Sequence, residues 1–373
     1  MLREWGRIGC IGFGGPPAHI ALLRELCVTR RRWLDDREFE DAIAATNLLP
    51  GPASTQLAIY CAWRLRGTPG ALVGGVGFIV PGLILILALA ALFLAASPPG
   101  WVLGAGAGSG AAVAAVAVQA AAGLAPASWR RAAARARWIA YLLVGGFAAA
   151  TLGSWLVLML LGCGALEIAL QRVRSGRGVA SVHAWPLLAA AGAATGGLLA
   201  LAWVAFKVGA LSYGGGFVII PLMQHDAVDT YQWMTDGQFL NAVALGQVTP
   251  GPVVHTVAVV GYAAAGLGGG LLAALVAFAP SFSFILIGAE RFDRLRANRS
   301  VRAFLDGAGP AAIGAIAGAA IPLALALTET WQFAVLAAAA LALFVLRRGI
   351  VLTLIAAGAA GALATALGAQ LPS

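Results

Sequence analysis

The chain has 373 residues, 61% of them hydrophobic and only 10% charged, with a mean hydropathy of +0.88. That composition excludes an ordinary soluble domain and reads as an all-α, polytopic integral membrane protein. The net charge of +9 does not point to nucleic acid, because the basic residues sit in short loops between apolar spans.

At the N-terminus, Arg3, Glu4 and Arg7 interrupt any apolar core, so no secretory leader is expected. Gly12-Phe13-Gly14-Gly15-Pro16 follows, without the Lys-Ser/Thr ending of a phosphate loop; a helix break or close packing of small residues is expected there. Loop 24–41 carries five arginines, and the apolar segment 41–62 is cut by Pro50-Gly51-Pro52. Apolar spans follow at 70–96, 101–124, 138–152, 154–170 and 187–211. The last holds Lys207, the single lysine against 23 arginines. After Gly214-Gly215-Gly216 comes 225–236, with Asp226, Asp229 and Asp236 and no Arg or Lys. Segment 241–262 is cut by Pro250-Gly251-Pro252, and further spans lie at 270–290, 303–327, 331–346 and 350–370.

This order is a duplication. Residues 9–62 and 209–262 align at a constant offset of 200, with fifteen identities that include Gly14-Gly15, Trp33, Asp36, Phe39 and Pro50-Gly51-Pro52. Repeated interruptions of apolar segments mark secondary transporters. The expected halves are 1–178 and 179–373. If each Pro-Gly-Pro segment crossed the membrane, the basic loops 24–41 and 125–137 would fall on opposite sides, against the positive-inside rule. If each instead turns at Pro-Gly-Pro and leaves on the side it entered, loops 24–41, 125–137, 171–178 and 291–302 are all cytoplasmic and 225–236 lies outside. The halves are then inverted, with roughly 9–10 spans plus two re-entrant hairpins meeting at membrane depth.

Proline removes a donor and glycine permits positive φ, so a helix entering Pro-Gly-Pro must stop. New half-helices begin after Pro52 and Pro252, and their free N–H groups offer an anion seat. Ser54, Thr55 and Thr256 can add hydroxyls, His255 can bind an anion or pass a proton, and Asn47 and Gln247 stand three residues before each turn. Arg7 and Lys207 occupy equivalent repeat positions, as a cation pair for an anionic substrate. The expected site is therefore Arg7, Gly14, Gly15, Asn47, Pro50, Gly51, Pro52, Ser54 and Thr55, with Lys207, Gly214, Gly215, Gln247, Pro250, Gly251, Pro252, His255 and Thr256. Asp36 and Asp236 are expected as helix caps or carboxylate gates, and Glu167, Glu290 and Asp306 as ion-paired or solvated groups beside basic loops. Cys10, Cys27, Cys61 and Cys163 have no metal-ligand spacing and read as packing residues; no metal, cofactor or catalytic set is expected.

As an ordered set these elements resemble the chromate transporter (CHR) family. The resemblance rests on Gly12-Phe13-Gly14-Gly15-Pro16 with Ala18-His19-Ile20, Arg31-Arg32-Trp33-Leu34 and Leu48-Leu49-Pro50-Gly51-Pro52-Ala53-Ser54. In the second half it rests on Phe206-Lys207-Val208-Gly209, Ser212-Tyr213-Gly214-Gly215-Gly216-Phe217 and Gly246-Gln247-Val248-Thr249-Pro250-Gly251-Pro252-Val253. The resemblance implies a bacterial inner-membrane protein that exports chromate and confers resistance to it; membrane potential or proton-motive force is the expected drive, because a dianion leaving an inside-negative cell moves downhill. Two departures stand out: Asn47 occupies a place where glutamine looks usual, and the element before Gly14 is short. Alternatives are a sulfate or general oxyanion carrier, an anion channel and an intramembrane enzyme acting on a lipid-linked phosphate. The expected partners are chromate or sulfate and the lipid bilayer, with a homodimer left open and nucleic acid excluded.

Overall fold

A computed structural model describes residues 1–47, 49–132, 134–151, 155–174, 196–212, 217–289 and 298–372, and no strand occurs among them. Five helices are long and apolar enough to cross a membrane, and shorter apolar helices accompany them. Gly214, Gly215 and Glu290, singled out above, lie outside the described residues.

The first half runs α1 (Leu2–Ile11), α2 (Pro16–Arg24), a π-turn (Glu25–Arg30) and α3 (Asp36–Thr46). It continues through Pro-Gly-Pro into α4 (Ala53–Phe93), α5 (Gly100–Arg131), α6 (Arg135–Thr151) and α7 (Leu156–Arg174). The second half runs α8 (Gly197–Leu211), α9 (Ile220–Gln224), a π-turn (His225–Thr230) and α10 (Asp236–Val248). Then come a 3₁₀ turn (Val253–His255), α11 (Thr256–Gly288), α12 (Arg299–Gly318), α13 (Ala320–Leu325), α14 (Thr330–Ala340) and α15 (Ile350–Ala366). The π-turns occupy matching places in the two repeats, and the residues that close them, Arg32 and Gln232, share the left-handed φ of 52°. Repetition in sequence has become repetition in backbone conformation.

Two long helices are hairpins. In α4 the helix breaks at Arg66 (φ −147°) and Gly67 (φ 58°); in α11 it breaks at Ala265 (φ −153°) and Gly266 (φ 62°). A Cβ built on Gly70 would collide with Ala62 O, and one on Gly269 would collide with Gly261 O. Eight residues of unbroken helix would separate those groups by about 12 Å, so the chain folds back at each break. The matched breaks, Gly67 and Gly266, fall one position short of the offset that relates Pro52 to Pro252, which corrects the constant register expected from the sequence. After Pro252 the chain opens with a 3₁₀ turn where α4 begins directly as α-helix, and the tighter turn absorbs one residue less. Gln56, not Thr55, is therefore the counterpart of His255.

The caps are likewise displaced by one. Asp35 accepts the Glu38 N–H at 2.7 Å, and Thr235 forms a capping box with Gln238. Asp36 instead receives Arg24 at 2.7 Å and Asp236 receives Gln224 at 2.8 Å, each tying α3 or α10 to the helix before it.

Close-packed glycines assemble these pieces. Gly9 of α1 and Gly209 of α8 let those helices touch the backbone of Phe78 and Ala277 on the long limbs of α4 and α11. Farther out, α12 packs along α6 and α7, whereas α5 packs along α14 and α15. Each half therefore lends one helix to the other, and the two interlock. Gly314 sits so close to Leu142 O that any Cβ there would overlap the carbonyl. Overpacking of this kind costs about 1–3 kcal/mol. Gly314→Val is expected to lower the thermal midpoint in detergent by several degrees, measured by size-exclusion after heating; an unchanged midpoint would contradict the α6–α12 contact.

Candidate functional site

Both Pro-Gly-Pro turns are built by the same backbone device. Gly51 has φ 113° and Gly251 has φ 97°, in the left-handed region that favours glycine, and Pro52 and Pro252 follow in extended conformation. Neither helix start carries a side-chain cap. In α4 the Thr55 and Gln56 N–H groups close on Pro52 O at 3.0 Å, which leaves the Ala53 and Ser54 N–H groups without a helical acceptor.

The turns are held by the opposite half. Gly251 N–H donates to Gly12 O at 2.9 Å, and a Cβ on Gly51 would stand 3.3 Å from Gly209 O. Likewise, a Cβ on Gly82 of α4 would overlap Pro250 O and stand 2.9 Å from His255 Cε1. In return Ser281 of α11 brings its Oγ within 3.5 Å of the Cβ position of Gly51. Gly82 and Ser281 follow Pro81 and Pro280, a pair related by the same shortened offset as the hairpin breaks. Each turn is thus braced by the long limb of the opposite hairpin, and His19, which bonds Ser54 after the first turn, interacts electrostatically with His255 after the second, so the two turns approach one another at this crossing point.

That crossing is lined with unanswered polarity. Nine buried side-chain polar atoms have no hydrogen-bond partner among the described residues, and seven lie on or beside the turns: Thr55 Oγ1, Gln56 Oε1, Ser212 Oγ, Gln247 Nε2, both ring nitrogens of His255, and Ser281 Oγ. The His255 ring approaches the Ile79 carbonyl without meeting hydrogen-bond geometry. Native interiors leave few such groups, and a cluster of them calls for polar partners there, water or a ligand. Of the expected residues, Ser54 is satisfied by His19, whose Nδ1 lies 3.1 Å from the hydroxyl while Nε2 donates to Gly12 O at 2.9 Å. Thr256 is also satisfied, donating to Val253 O at 2.8 Å. Gly14 and Gly15 keep positive φ at the start of α2 and form its entry bend.

The expected cation pair does not assemble here. Lys207 donates to Asp226 at 2.6 Å, which neutralises it, and Arg7 is exposed with no ion pair among the described residues. In the first half the corresponding clasp has the opposite polarity: Glu4 of α1 receives Arg30 at 2.7 Å and Arg31 at 2.5 Å. The Arg31 hydrogen bond holds the Glu4 carboxyl below its ordinary range. Both clasps tie a first helix to the π-turn beyond it. Sequence reasoning missed Gln56, Ser212 and Ser281; the matched prolines Pro81 and Pro280 were the signal that pointed to Ser281.

The two turns differ in access. Asn47 and Pro50 are exposed, whereas Gln247 and Pro250 are buried. A cavity of about 590 Å³ reaches Asn47, Gly51 and Ala53 of the first turn and runs between the end of α5 and α12. On the opposite side α10 closes on α5, where a Cβ on Gly106 would meet Asn241 Nδ2 at 2.8 Å and one on Gly110 would meet Leu240 Cβ at 3.0 Å.

The family profile described as chromate transporter matches residues 1–168 and 199–363, covering both turns. The chain belongs to the chromate transporter family. A chromate transport protein of Cupriavidus metallidurans is 33% identical over 336 residues, covering 85% of this chain and 80% of its own. One of Pseudomonas aeruginosa is 30% identical over 386 residues, covering 97% and 91%. A probable chromate transport protein of Synechococcus elongatus is 29% identical, covering 85% and 82%. No solved structure matches the chain. As a chromate transporter it is a multi-pass bacterial membrane protein.

The Lys207–Asp226 clasp makes a direct prediction for this transporter. Removing one partner of a largely buried pair strands a charge, whereas replacing both by apolar residues is close to neutral. Lys207→Met and Asp226→Leu are each expected to cost about 3 kcal/mol, and the double variant to recover most of it in a detergent melting series. A double variant no better than the singles would show that Lys207 does more than pair.

Proposed function

We propose that this chain exports chromate by alternating access, with the dianion bound where the two Pro-Gly-Pro turns cross. The observation that carries this reading is the cluster of buried, unpartnered groups able to donate, from Thr55, Ser212, Gln247, His255 and Ser281, beside two uncapped helix starts. A tetrahedral oxyanion offers acceptors on every face. The free Ala53 and Ser54 N–H groups, the Thr55, Ser212 and Ser281 hydroxyls and the His255 ring suit such an anion without a formal cation.

Geometry also supports the re-entrant topology. Residues 53–65 of α4 rise only about 20 Å before the break at Arg66–Gly67, too short for a hydrocarbon core of about 30 Å. With each hairpin turning back, Arg130, Arg131, Arg135 and Arg302 fall on the cytoplasmic side. The open cavity then faces the cytoplasm and the closed α5–α10 contact faces outward, as in the loading state of an exporter.

Energetics favour export. Moving one charge through 100 mV is worth about 2.3 kcal/mol, so a dianion leaving an inside-negative cell gains about 4.6 kcal/mol. At about 1.4 kcal/mol per decade this sustains a gradient on the order of a thousandfold with no coupled ion. The donors also favour a second reading, a carrier of sulfate in which chromate is a mimic, because hydroxyl, amide and imidazole groups sense charge and shape that both anions share.

Everted membrane vesicles provide the test. Saturable chromate uptake that collapses with the membrane potential is expected, with kcat/KM reduced about tenfold or more by Ser281→Ala and by Thr55→Val at equal protein, since each removes a hydrogen bond to a charged ligand. Sulfate that largely suppresses uptake at a concentration equal to that of chromate would favour the second reading. Uptake no greater than in empty vesicles would sink both.

A further inference from the structure

The cavity that reaches the first turn has a chemistry of its own. Its floor is Asn47 and Gly51. Its mouth carries Arg131 from the end of α5 and Arg302 from the start of α12, both exposed. One turn inward from Arg302, Asp306 also lines it and interacts electrostatically with Arg131. Between mouth and floor the walls are apolar, with Leu305, Ile313 and Ile316. Two cations over low-dielectric walls focus a positive field into the cleft, which raises the local concentration of anions. The carboxylate between those cations and the turns opposes prolonged residence. Passage through a series of sites needs each to be attractive enough to fill and weak enough to release.

We propose that this cavity is an antechamber for oxyanion dianions, in which Arg131 and Arg302 recruit the anion and Asp306 limits its dwell before it reaches the turns. The proposal rests on the transport reading above and adds a second, weaker station to it. Neither arginine touches the crossing point, so their contribution falls on capture and not on the step that carries the anion across.

The test is initial-rate chromate uptake into everted vesicles, whose outer face is the cytoplasmic one, across a series of ionic strengths. Arg131→Gln is expected to raise KM about three- to tenfold at low salt, with kcat retained and a flatter dependence of kcat/KM on salt. Arg131→Lys should restore most of the wild-type KM. Ala127→Arg, which adds a cation on the same wall, should lower KM. Asp306→Asn should lower KM and kcat together, because the anion lingers. Arg348→Gln removes an exposed arginine that is no part of the cavity and should change neither constant.

If Arg131→Gln leaves KM and the salt slope at wild-type values, or if Arg348→Gln shifts them equally, the antechamber is refuted while transport stands. If wild-type vesicles take up no chromate at all, the transport reading fails and the antechamber falls with it.

Discussion

Everything in this molecule answers to one constraint: backbone that stops being helical within a buried, apolar interior must find partners for its N–H and C=O groups in protein, because apolar surroundings offer none. Pro-Gly-Pro imposes such a stop twice. The protein meets the demand by pressing each turn against the other half. Gly251 donates to Gly12, Gly51 lies beside the Gly209 carbonyl, and Gly82 and Ser281 hold the two turns from the long limbs. Most of the buried side-chain polarity that remains unmet among the described residues, a few hydroxyls, amides and one imidazole, lies on or beside the turns. The fold meets most of the backbone demand and leaves the Ala53 and Ser54 N–H groups and a polar remainder of side chains beside the turns.

Interlocking follows from the same demand. Each turn is completed by elements of the opposite repeat, so neither half can bury its own break alone. The exchange of α5 and α12 between halves extends this dependence to the scaffold. It also sets two similar turns in unequal surroundings. The first opens to a cavity, and the second is covered by α10 packed on α5. Exchanging those environments by rigid movement would leave the crossing point intact.

Much of this was legible in the sequence, and the limits were physical. Pro-Gly-Pro and the glycine-rich segments declare themselves because few other residues tolerate those φ angles, and the duplication was visible through them. The family was legible from the same motifs. The one-residue slip after Pro252 was not, because whether a helix opens as 3₁₀ or α depends on packing around the turn. That slip concealed the pairing of Gln56 with His255. The pairing of Lys207 was not legible, because its partner Asp226 comes from beyond the next helix, a proximity no local pattern encodes. Ser281 is a lone serine in an apolar run, indistinguishable by composition from Ser283 beside it, which merely bonds back to Ala279 O. Gly214 and Gly215 lie outside the described residues, so their role stays with the sequence argument.

The central claim is that the substrate anion sits at the crossing of the two turns. Crystals grown with chromate and measured at the chromium absorption edge would locate it directly by anomalous scattering. A single strong peak within hydrogen-bonding reach of Ser281 Oγ and the Ala53–Ser54 N–H groups is expected. A strong peak only beside Lys207 or Arg7, with none between Gly51 and Gly251, would contradict it.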